Sequence, residues 1–350
     1  MRRGLMAWDA EEIPADALRV RIRRLQAAMA ANGQDAIILY TNFIRSSAVS
    51  YLTAFSPYWA DGILLVPMEG EPVFATTLSK RVGSWIQTVK PVGDLVNSPT
   101  PGMVLGKELA EGKIKRLAIL ELDAFPSGLY DDLKSMLPGV EIVDGSDSFA
   151  IARSSSDPVE RRLLEHADRM AQDALAQVNG RESTVGEAIA AVEKHARLQG
   201  AEEAYVAIAP DMDVDHRFLR LSGERPLGSR FAIRATIAYK GSWSRRTRTF
   251  SRDAKDAAAI RDADAWFASV LAGIDAKRAL GGQIAARISK WPGAHLVHWL
   301  AESPIGTHPL AAVASPGGEI QSSTPVPALV LTVGLTVGGM AWCGAGLAKQ

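Results

Sequence analysis

One stretch near the C-terminal end limits the possible folds more than any other part of the sequence. Residues 325–348 read PVPALVLTVGLTVGGMAWCGAGLA and carry no charged side chain. A stretch of this length is long enough to cross a membrane as a helix. Its two prolines, several glycines and β-branched residues favour buried β-strands instead. We therefore expect buried strands here and no membrane-spanning helix.

Composition narrows the class of protein further. The 350 residues are enough for two domains with separate hydrophobic cores. The 39 lysines and arginines equal the 39 aspartates and glutamates in number, so no overall field attracts nucleic acid or an anionic membrane. Cys343 is the only cysteine, which excludes a disulfide framework and a multi-thiolate metal site. Because MRRGLMAWDAEEIP is also a poor signal peptide, we expect a cytoplasmic protein.

Residues 1–152 show short apolar runs that alternate with amphipathic stretches, which is typical of an α/β domain. The stretch 16–33 has apolar residues at helical spacing and ends at an Asn-Gly pair. A β-hairpin is predicted across Met68, Glu69 and Gly70. Strands are predicted at 36–40, 49–55, 62–67, 71–76, 116–122 and 140–145, and further helices at about 79–89, 102–112 and 127–136.

The polar, proline-containing stretch ARSSSDP, residues 152–158, places a domain boundary between residues 152 and 153. Two long helices follow, and the second begins with a capping box between Thr184 and Glu187. Residues 153–350 are predicted to form an α+β domain in which helices cover one curved antiparallel sheet. Its helices are predicted at 159–180, 183–200, about 253–273 and about 280–290, and its strands at 204–209, 231–250 and from 326 onward.

The stretch IRATIAYKGSWSRRTRTF, residues 233–250, predicts two strands around a turn at Lys240-Gly241. It contains Arg234 and then Arg245, Arg246 and Arg248 within four positions. A strand face with this much positive charge requires water, an acidic partner or an anionic ligand. Strand alternation places Arg246 and Arg248 together on the face opposite to Arg245, where they are expected to be solvated or paired at the surface.

The order of these parts resembles the creatinase, prolidase and aminopeptidase P family, whose catalytic domain has the pita-bread fold. Three stretches carry the resemblance: YLTAF at 51–55 resembles a motif of the family's N-terminal domain, ARSSSDPVERRLLEHADRMAQDAL at 152–175 its linker helix, and TRTF at 247–250 the end of its first metal-binding hairpin. The resemblance covers nearly the whole chain. It implies a pita-bread fold for the second domain and a homodimer.

The same resemblance implies two metal ions held by two aspartates, one histidine and two glutamates, because two close dications need several anionic oxygens. The alignment places Arg234 and Arg245 at the two aspartate positions. In AHLVHWLAESP, residues 294–304, it leaves His295 at the histidine position and Glu302 at the position of a second, substrate-facing histidine.

The two glutamate positions are lost as well. Gly334 stands at the first of them, within ALVLTVGL, and no Asp or Glu follows Glu319 to supply the second. A pocket that has exchanged carboxylates for guanidinium groups repels the ions it would have to hold. We therefore expect neither a metal site nor any other cofactor.

Two uses remain open for Arg234 and Arg245. In the first, they form salt bridges with acidic side chains and fill the space left by the metal ions. In the second, they bind a carboxylate or phosphate of a small ligand, which suits the planar, bidentate geometry of arginine.

The histidines supply the candidate acid-base groups. His216 resembles the substrate-facing histidine that precedes the family's first hairpin, and either Asp213 or Asp215 is available to orient it. His295 and Glu302 are candidate auxiliary groups in catalysis. His298 lies three residues after His295 and is expected to point elsewhere.

Two aromatic residues of FSPYWADG are further candidates. The N-terminal domain of one subunit helps to close the other subunit's site in dimers of the family, which implies substrate contact for Tyr58 and Trp59. The alternative is that this loop packs against its own domain.

Two functions from different classes follow. The first is a metal-independent hydrolase, similar to creatinase, that acts on a C–N bond of a small, carboxylate-bearing, amino-acid-like substrate. The second is a catalytically inactive relative that binds a small ligand or a protein partner. Both predict a homodimer that binds neither nucleic acid nor membrane.

Overall fold

The computed structural model describes residues 8–42, 44–55, 60–319 and 326–348. The chain divides into two compact units at Val159 and Glu160, and the short segment Gly306–His308 groups with the first unit. The N-terminal and C-terminal units are described separately below.

The N-terminal unit is built around a mixed six-stranded sheet. Its strand order is β4-β3-β2-β1-β5-β6. The pairs β1/β2 and β2/β3 are antiparallel, whereas β1/β5, β3/β4 and β5/β6 are parallel. The strands are β1 (Ala36–Thr41), β2 (Gly62–Pro67), β3 (Val73–Thr76), β4 (Asp94–Asn97), β5 (Arg116–Ile119) and β6 (Glu141–Asp144). The helices are α1 (Ala15–Ala31), α2 (Ser47–Thr53), α3 (Gly83–Val89), α4 (Pro101–Glu111), α5 (Ser127–Met136) and α6 (Ser146–Ala152).

The predicted α/β class and the hairpin of β2 and β3 are confirmed in this unit. The strand predicted at 49–55 is wrong, because residues 47–53 form helix α2. Every residue from Ala48 to Thr53 is buried, so no polar face revealed the helical period. Strand β4 was not predicted, and its residues are exposed or only partly buried.

The C-terminal unit contains an eight-stranded sheet in which all neighbouring strands are antiparallel. The strand order is β12-β11-β10-β13-β14-β9-β8-β7. The strands are β7 (Glu203–Ala209), β8 (Arg230–Tyr239), β9 (Ser242–Ser251), β10 (Ala294–Ser303), β11 (Ala311–Ser315), β12 (Gly318–Glu319), β13 (Leu329–Val337) and β14 (Met340–Ala348). The helices are α7 (Pro158–Leu175), α8 (Val185–Leu198), α9 (Ala257–Gly273) and α10 (Leu280–Ile288). The predicted capping box is present at the start of α8.

Alternate residues of each long strand pack under the helices. On β8, residues such as Phe231, Ile233 and Ile237 join α7 and α8 in one core. On β13, the odd-numbered residues 329–337 join α9 and α10 in a second core. The intervening positions therefore point to the opposite side of the sheet, which we call the inner face.

The uncharged C-terminal stretch forms buried strands, as predicted, and these strands, β13 and β14, pair as an antiparallel hairpin. The hairpin turns at Gly338 and Gly339, whose φ angles of 57° and 84° suit glycine. Among the described residues, no helix is both long enough and apolar enough to cross a membrane.

The arginine-rich stretch forms the hairpin of β8 and β9, with its turn at Lys240 and Gly241 as predicted. Both turn residues have positive φ angles, 46° and 77°, which matches a two-residue hairpin loop. The Gly241 N–H donates a hydrogen bond of 3.1 Å to Glu202 Oε2. Burial raises the pKa of Glu202 to about 7 against the opposing effect of this bond. The register places Arg234 opposite Thr247 and Arg245 opposite Thr236.

Candidate functional site

Charged side chains from three strands meet on the inner face of the C-terminal sheet. Arg234 lies on β8, Arg245 on β9 and Glu302 on β10. The charges of Arg245 and Glu302 both act on Arg234, so the three groups lie near one another. We call Arg234, Arg245, Glu302 and His298 the inner-face cluster.

Arg245 forms an ion pair with Glu302. Its Nη1 donates to Glu302 Oε2, and its Nε donates to Thr236 Oγ1 at 3.1 Å. Both side chains are largely buried. Burial raises the pKa of Glu302, while the charges of Arg245 and Arg234 act to lower it. Of the two alternatives left open by the sequence, a salt bridge or the binding of an anionic ligand, Arg245 forms the salt bridge.

Arg234 has no such partner. In the described part of the chain, no carboxylate forms an ion pair with it, and its buried Nε has no hydrogen-bond acceptor. Its guanidinium carbon lies 4.1 Å from the centre of the Phe218 ring. Burial lowers the pKa of Arg234, whereas the neighbouring Cys343 acts to raise it. Two guanidinium groups therefore face a single carboxylate in the cluster.

Cys343 forms part of the wall beside Arg234. Burial raises the pKa of its thiol to about 11, with Arg234 acting in the opposite direction. The thiol is therefore protonated at neutral pH and is a poor nucleophile. Its backbone N–H donates to Thr249 Oγ1 at 2.9 Å, and the same hydroxyl donates to the Cys343 carbonyl at 3.0 Å. These bonds fix β14 to β9 beside the cluster.

His298 belongs to the cluster, and the expectation that it points elsewhere is wrong. It pairs with Gly334 across β10 and β13, and the register shifts between Leu296 and His298. Such a bulge adds one residue to a strand and reverses the alternation beyond it. A Cβ atom built on Gly334 would lie 2.2 Å from His298 Cε1, so the imidazole ring covers this glycine. A single sequence contains no signal for this bulge.

The pKa of His298 is lowered, first by partial burial and then by the positive charges of Arg234 and His216. His216 therefore lies near His298, in the exposed segment between β7 and β8. Asp215 and Asp213, the carboxylates expected to orient His216, are each paired with an arginine instead. Asp215 binds Arg217 at 2.8 Å, and Asp213 binds Arg230 at 3.0 Å.

The remaining predicted site residues are not brought into the cluster. His295 is exposed at the start of β10, opposite Thr336, and none of the contacts found among the described residues links its side chain to the cluster. Tyr58 and Trp59 lie outside the described residues. Thr236 and Cys343 were not predicted as site residues. Thr236 was within reach of sequence reasoning, since it lies two residues from Arg234 on one strand and thus on the same face.

Arg246 and Arg248 lie on the helix side of β9, as alternation predicts. Arg246 is paired with Asp168 of α7, donating through both Nε, at 2.8 Å, and Nη2. Asp168 also accepts a hydrogen bond of 2.9 Å from the Ser244 hydroxyl. Arg248 is exposed, with its guanidinium carbon 4.9 Å from the centre of the Phe250 ring.

The residues of the inner face do not fit the two-metal centre that the resemblance implies. Arg234 and Arg245 supply cationic groups at two ligand positions, and Gly334 supplies no side chain at a third. Within the described ranges, no group of three His, Cys, Asp or Glu side chains is arranged to hold a metal ion. Hard dications need several anionic oxygens, and one carboxylate already bound to Arg245 does not replace them.

Comparisons with known proteins agree with the architecture. Residues 21–155 match the Creatinase/Prolidase N-terminal domain. The X-Pro aminopeptidase from Thermotoga maritima MSB8 is 17% identical, with a TM-score of 0.68 over 92% of this chain and 93% of that one. The Xaa-Pro dipeptidase from Bacillus anthracis is 19% identical, with a TM-score of 0.67 over 94% and 93% of the two chains. The prolidase from Pyrococcus horikoshii OT3 is 15% identical, with a TM-score of 0.66 over 93% of each chain. No curated protein matches the sequence.

Proposed function

From the premise that this chain joins a creatinase/prolidase N-terminal domain to a pita-bread domain, we propose that it is a metal-independent hydrolase. Its substrate is a small, carboxylate-bearing, amino-acid-like compound, and the bond cleaved is a C–N bond. One observation carries the proposal: Arg234 is a largely buried cation without an acidic partner in the described part of the chain.

Arg234 is the carboxylate-binding group in this proposal. A buried guanidinium is costly unless a counter-charge accompanies it, and a bidentate carboxylate supplies one. Glu302 does not compensate both arginines, because it is bound to Arg245. Partial exclusion of water strengthens the attraction between Arg234 and an incoming anion. Arg245, held in place by Glu302 and Thr236, contributes positive potential for the oxyanion that develops during hydrolysis.

His216 and His298 are the proton-transfer groups. A lowered pKa keeps His298 neutral near pH 7, which is the form that accepts a proton. As a water oxygen bonds to the substrate carbon, one water proton passes to an imidazole. That proton then passes to the nitrogen as the C–N bond breaks, so the imidazole returns to its starting state. Glu302 acts by holding Arg245, and His295 remains a predicted auxiliary group.

The alternative function is a binding protein without turnover, and a specific observation favours it. His216 is exposed, and both carboxylates expected to orient it are paired with arginines. An imidazole without a fixed orientation is a less effective general base. The inner-face cluster would then bind a small carboxylate without cleaving it.

The two functions are separated by measuring binding and turnover with the same compounds. Matched pairs of carboxylates and their amides, beginning with N-acetylglycine and N-acetylglycinamide, are tested in thermal-shift assays. Amine release is followed with a chelator present. A carboxylate-selective rise in melting temperature that Arg234→Gln abolishes, together with amine release, supports the hydrolase. The same selectivity without amine release supports the binding protein. Equal shifts with acids and amides across the panel contradict both.

We also propose that the chain forms a homodimer, on the strength of the family resemblance. Light scattering coupled to size-exclusion chromatography tests this directly. A mass of twice 37.5 kDa is expected, and a monomer at high protein concentration contradicts the proposal. In the dimer, Tyr58 and Trp59 are the proposed contacts to the substrate of the partner subunit.

A further inference from the structure

A groove runs along the helix side of the C-terminal sheet, opposite the inner face. Helices α7 and α9 form its walls, and strands β9 and β14 form its floor. It encloses a cavity of about 540 Å³, within the range of small-molecule sites. Its apolar lining includes Leu175, Phe267, Leu271 and Trp342.

The groove exists because two separate cores meet there. One core packs α7 and α8 on β8, and the other packs α9 and α10 on β13. The facing surfaces carry small exposed residues, Ala176 directly after α7 and Ala268 and Ala272 on α9, so the gap between the helices stays open. On the floor, the side chains of Arg246 and Leu271 pack directly against Gly346. A Cβ built on this glycine would lie 2.7 Å from Arg246 Nη1 and 2.8 Å from Leu271 Cδ1.

Two opposite charges in this groove are not paired with each other. Arg248 forms no ion pair or hydrogen bond with any residue in the described ranges, and its guanidinium carbon lies 4.9 Å from the centre of the Phe250 ring. Asp264 accepts a 3.0 Å hydrogen bond from Trp342 Nε1 through Oδ1, which leaves Oδ2 available. The charge of Arg248 reaches Asp264 without a direct ion pair between them. Arg246, by contrast, is neutralised by Asp168.

We propose that this groove binds an apolar α-amino acid in its zwitterionic form. The carboxylate binds Arg248, the ammonium group binds Asp264 Oδ2, and the side chain lies against Phe267, Leu271 and Trp342. A simple anion would meet repulsion from Asp264, and a simple cation would meet repulsion from Arg248. Only a molecule with both charges and an apolar side chain satisfies every part of the lining.

This site is distinct from the one proposed for hydrolysis. Residues alternate between the two faces of β9, so Arg246 and Arg248 lie on the face opposite to Arg245. None of the groove residues named here takes part in the proposed chemistry. The inference thus holds whether or not the chain is a hydrolase.

Isothermal titration calorimetry on the full chain tests the inference with L-leucine and L-phenylalanine at up to millimolar concentrations. Two analogues of leucine each lack one charge: 3-methylbutylamine and 4-methylpentanoate. At least one of the two amino acids is expected to bind, and for leucine each analogue should bind at least ten-fold more weakly. Arg248→Gln and Asp264→Asn should each weaken binding at least ten-fold, and Ala268→Trp should abolish it by filling the groove.

Arg234→Gln separates the two proposed sites, because it alters only the inner face and should leave unchanged the binding that Arg248→Gln and Asp264→Asn weaken. Thermal melts of every variant verify folding. Failure of both amino acids to bind overturns the inference. So does equal binding of 4-methylpentanoate, which would indicate a simple anion site. Loss of binding in Arg234→Gln would assign the amino acid to the inner face and contradict the groove.

Discussion

The imidazole ring of His298 lies over the α-carbon of Gly334, in the volume that a side chain at position 334 would need. The family resemblance implies a metal-binding glutamate at this position. If that resemblance holds at this position, a histidine from the neighbouring strand occupies the space of the glutamate, and it does so through a bulge in β10. The site therefore has no metal ligand at position 334 and has His298 there as a candidate general base.

A methyl group at position 334 should displace His298. Gly334→Ala is expected to lower the free energy of unfolding by about 1–3 kcal/mol, because the ring must leave its place. Any amine release should fall at least ten-fold. The matched control is Gly282→Ala in α10, where nothing lies near the added methyl group. The higher helix propensity of alanine should raise the free energy of unfolding of this variant by about 0.5–1 kcal/mol. Unchanged stability and unchanged His298 resonances in Gly334→Ala would contradict the packing described.

Removal of the charge on Glu302 should leave two guanidinium groups close together without a carboxylate. Glu302→Gln is expected to destabilise the fold by about 3 kcal/mol, because Arg245 loses its buried partner. Chemical denaturation measures the change. Glu111→Gln removes one member of the exposed Lys107–Glu111 pair and should cost less than about 0.5 kcal/mol. A cost for Glu302→Gln as small as that of the control would mean that the ion pair is solvent-exposed in solution.

The titration of Glu202 should make stability depend on pH. Its pKa is raised from 4.5 to about 7 in the folded state, mainly by burial. The folded state therefore binds the proton more tightly, and the associated stability is present below pH 4.5 and lost as pH rises to about 7. The loss is up to about 3 kcal/mol. Urea unfolding at several pH values should show this slope in the native chain and not in Glu202→Gln. An identical slope in both would exclude Glu202 as its source.

His298 should titrate below its usual range, because burial and the charges of Arg234 and His216 all lower its pKa. Removal of the Arg234 charge in Arg234→Gln should move the pKa of His298 upward. NMR titration of the imidazole resonances measures both values, and His195 in α8 serves as an internal reference remote from the cluster in sequence. A titration of His298 at or above 6.5 in the native chain would contradict this electrostatic description.

Local sequence signals predicted much of the fold. Helix α5 runs over the predicted residues 127–136, and the turn at Lys240-Gly241 and the capping box at Thr184 are where the sequence places them. Each of these depends on residues close together in the chain. Helix α2 was predicted as a strand because its short apolar sequence is buried on every side.

The candidate site was only partly predictable, since it depends on contacts between distant residues. Strand alternation correctly separated Arg245 from Arg246. The pairing of Arg245 with Glu302 joins positions 57 residues apart, and no pattern in one sequence indicates it. The inclusion of His298 depends on one extra residue in β10, which reverses the expected direction of its side chain.

The central claim is that guanidinium groups occupy the inner face in place of a pair of metal ions. It is tested most directly by incubating the purified chain with Mn²⁺, Co²⁺ or Zn²⁺, dialysing it, and determining bound metal by elemental analysis. We predict no stoichiometric metal, because Arg234 and Arg245 repel cations and Gly334 offers no ligand. Two equivalents of metal per chain, retained after dialysis and lost in Glu302→Gln, would contradict it.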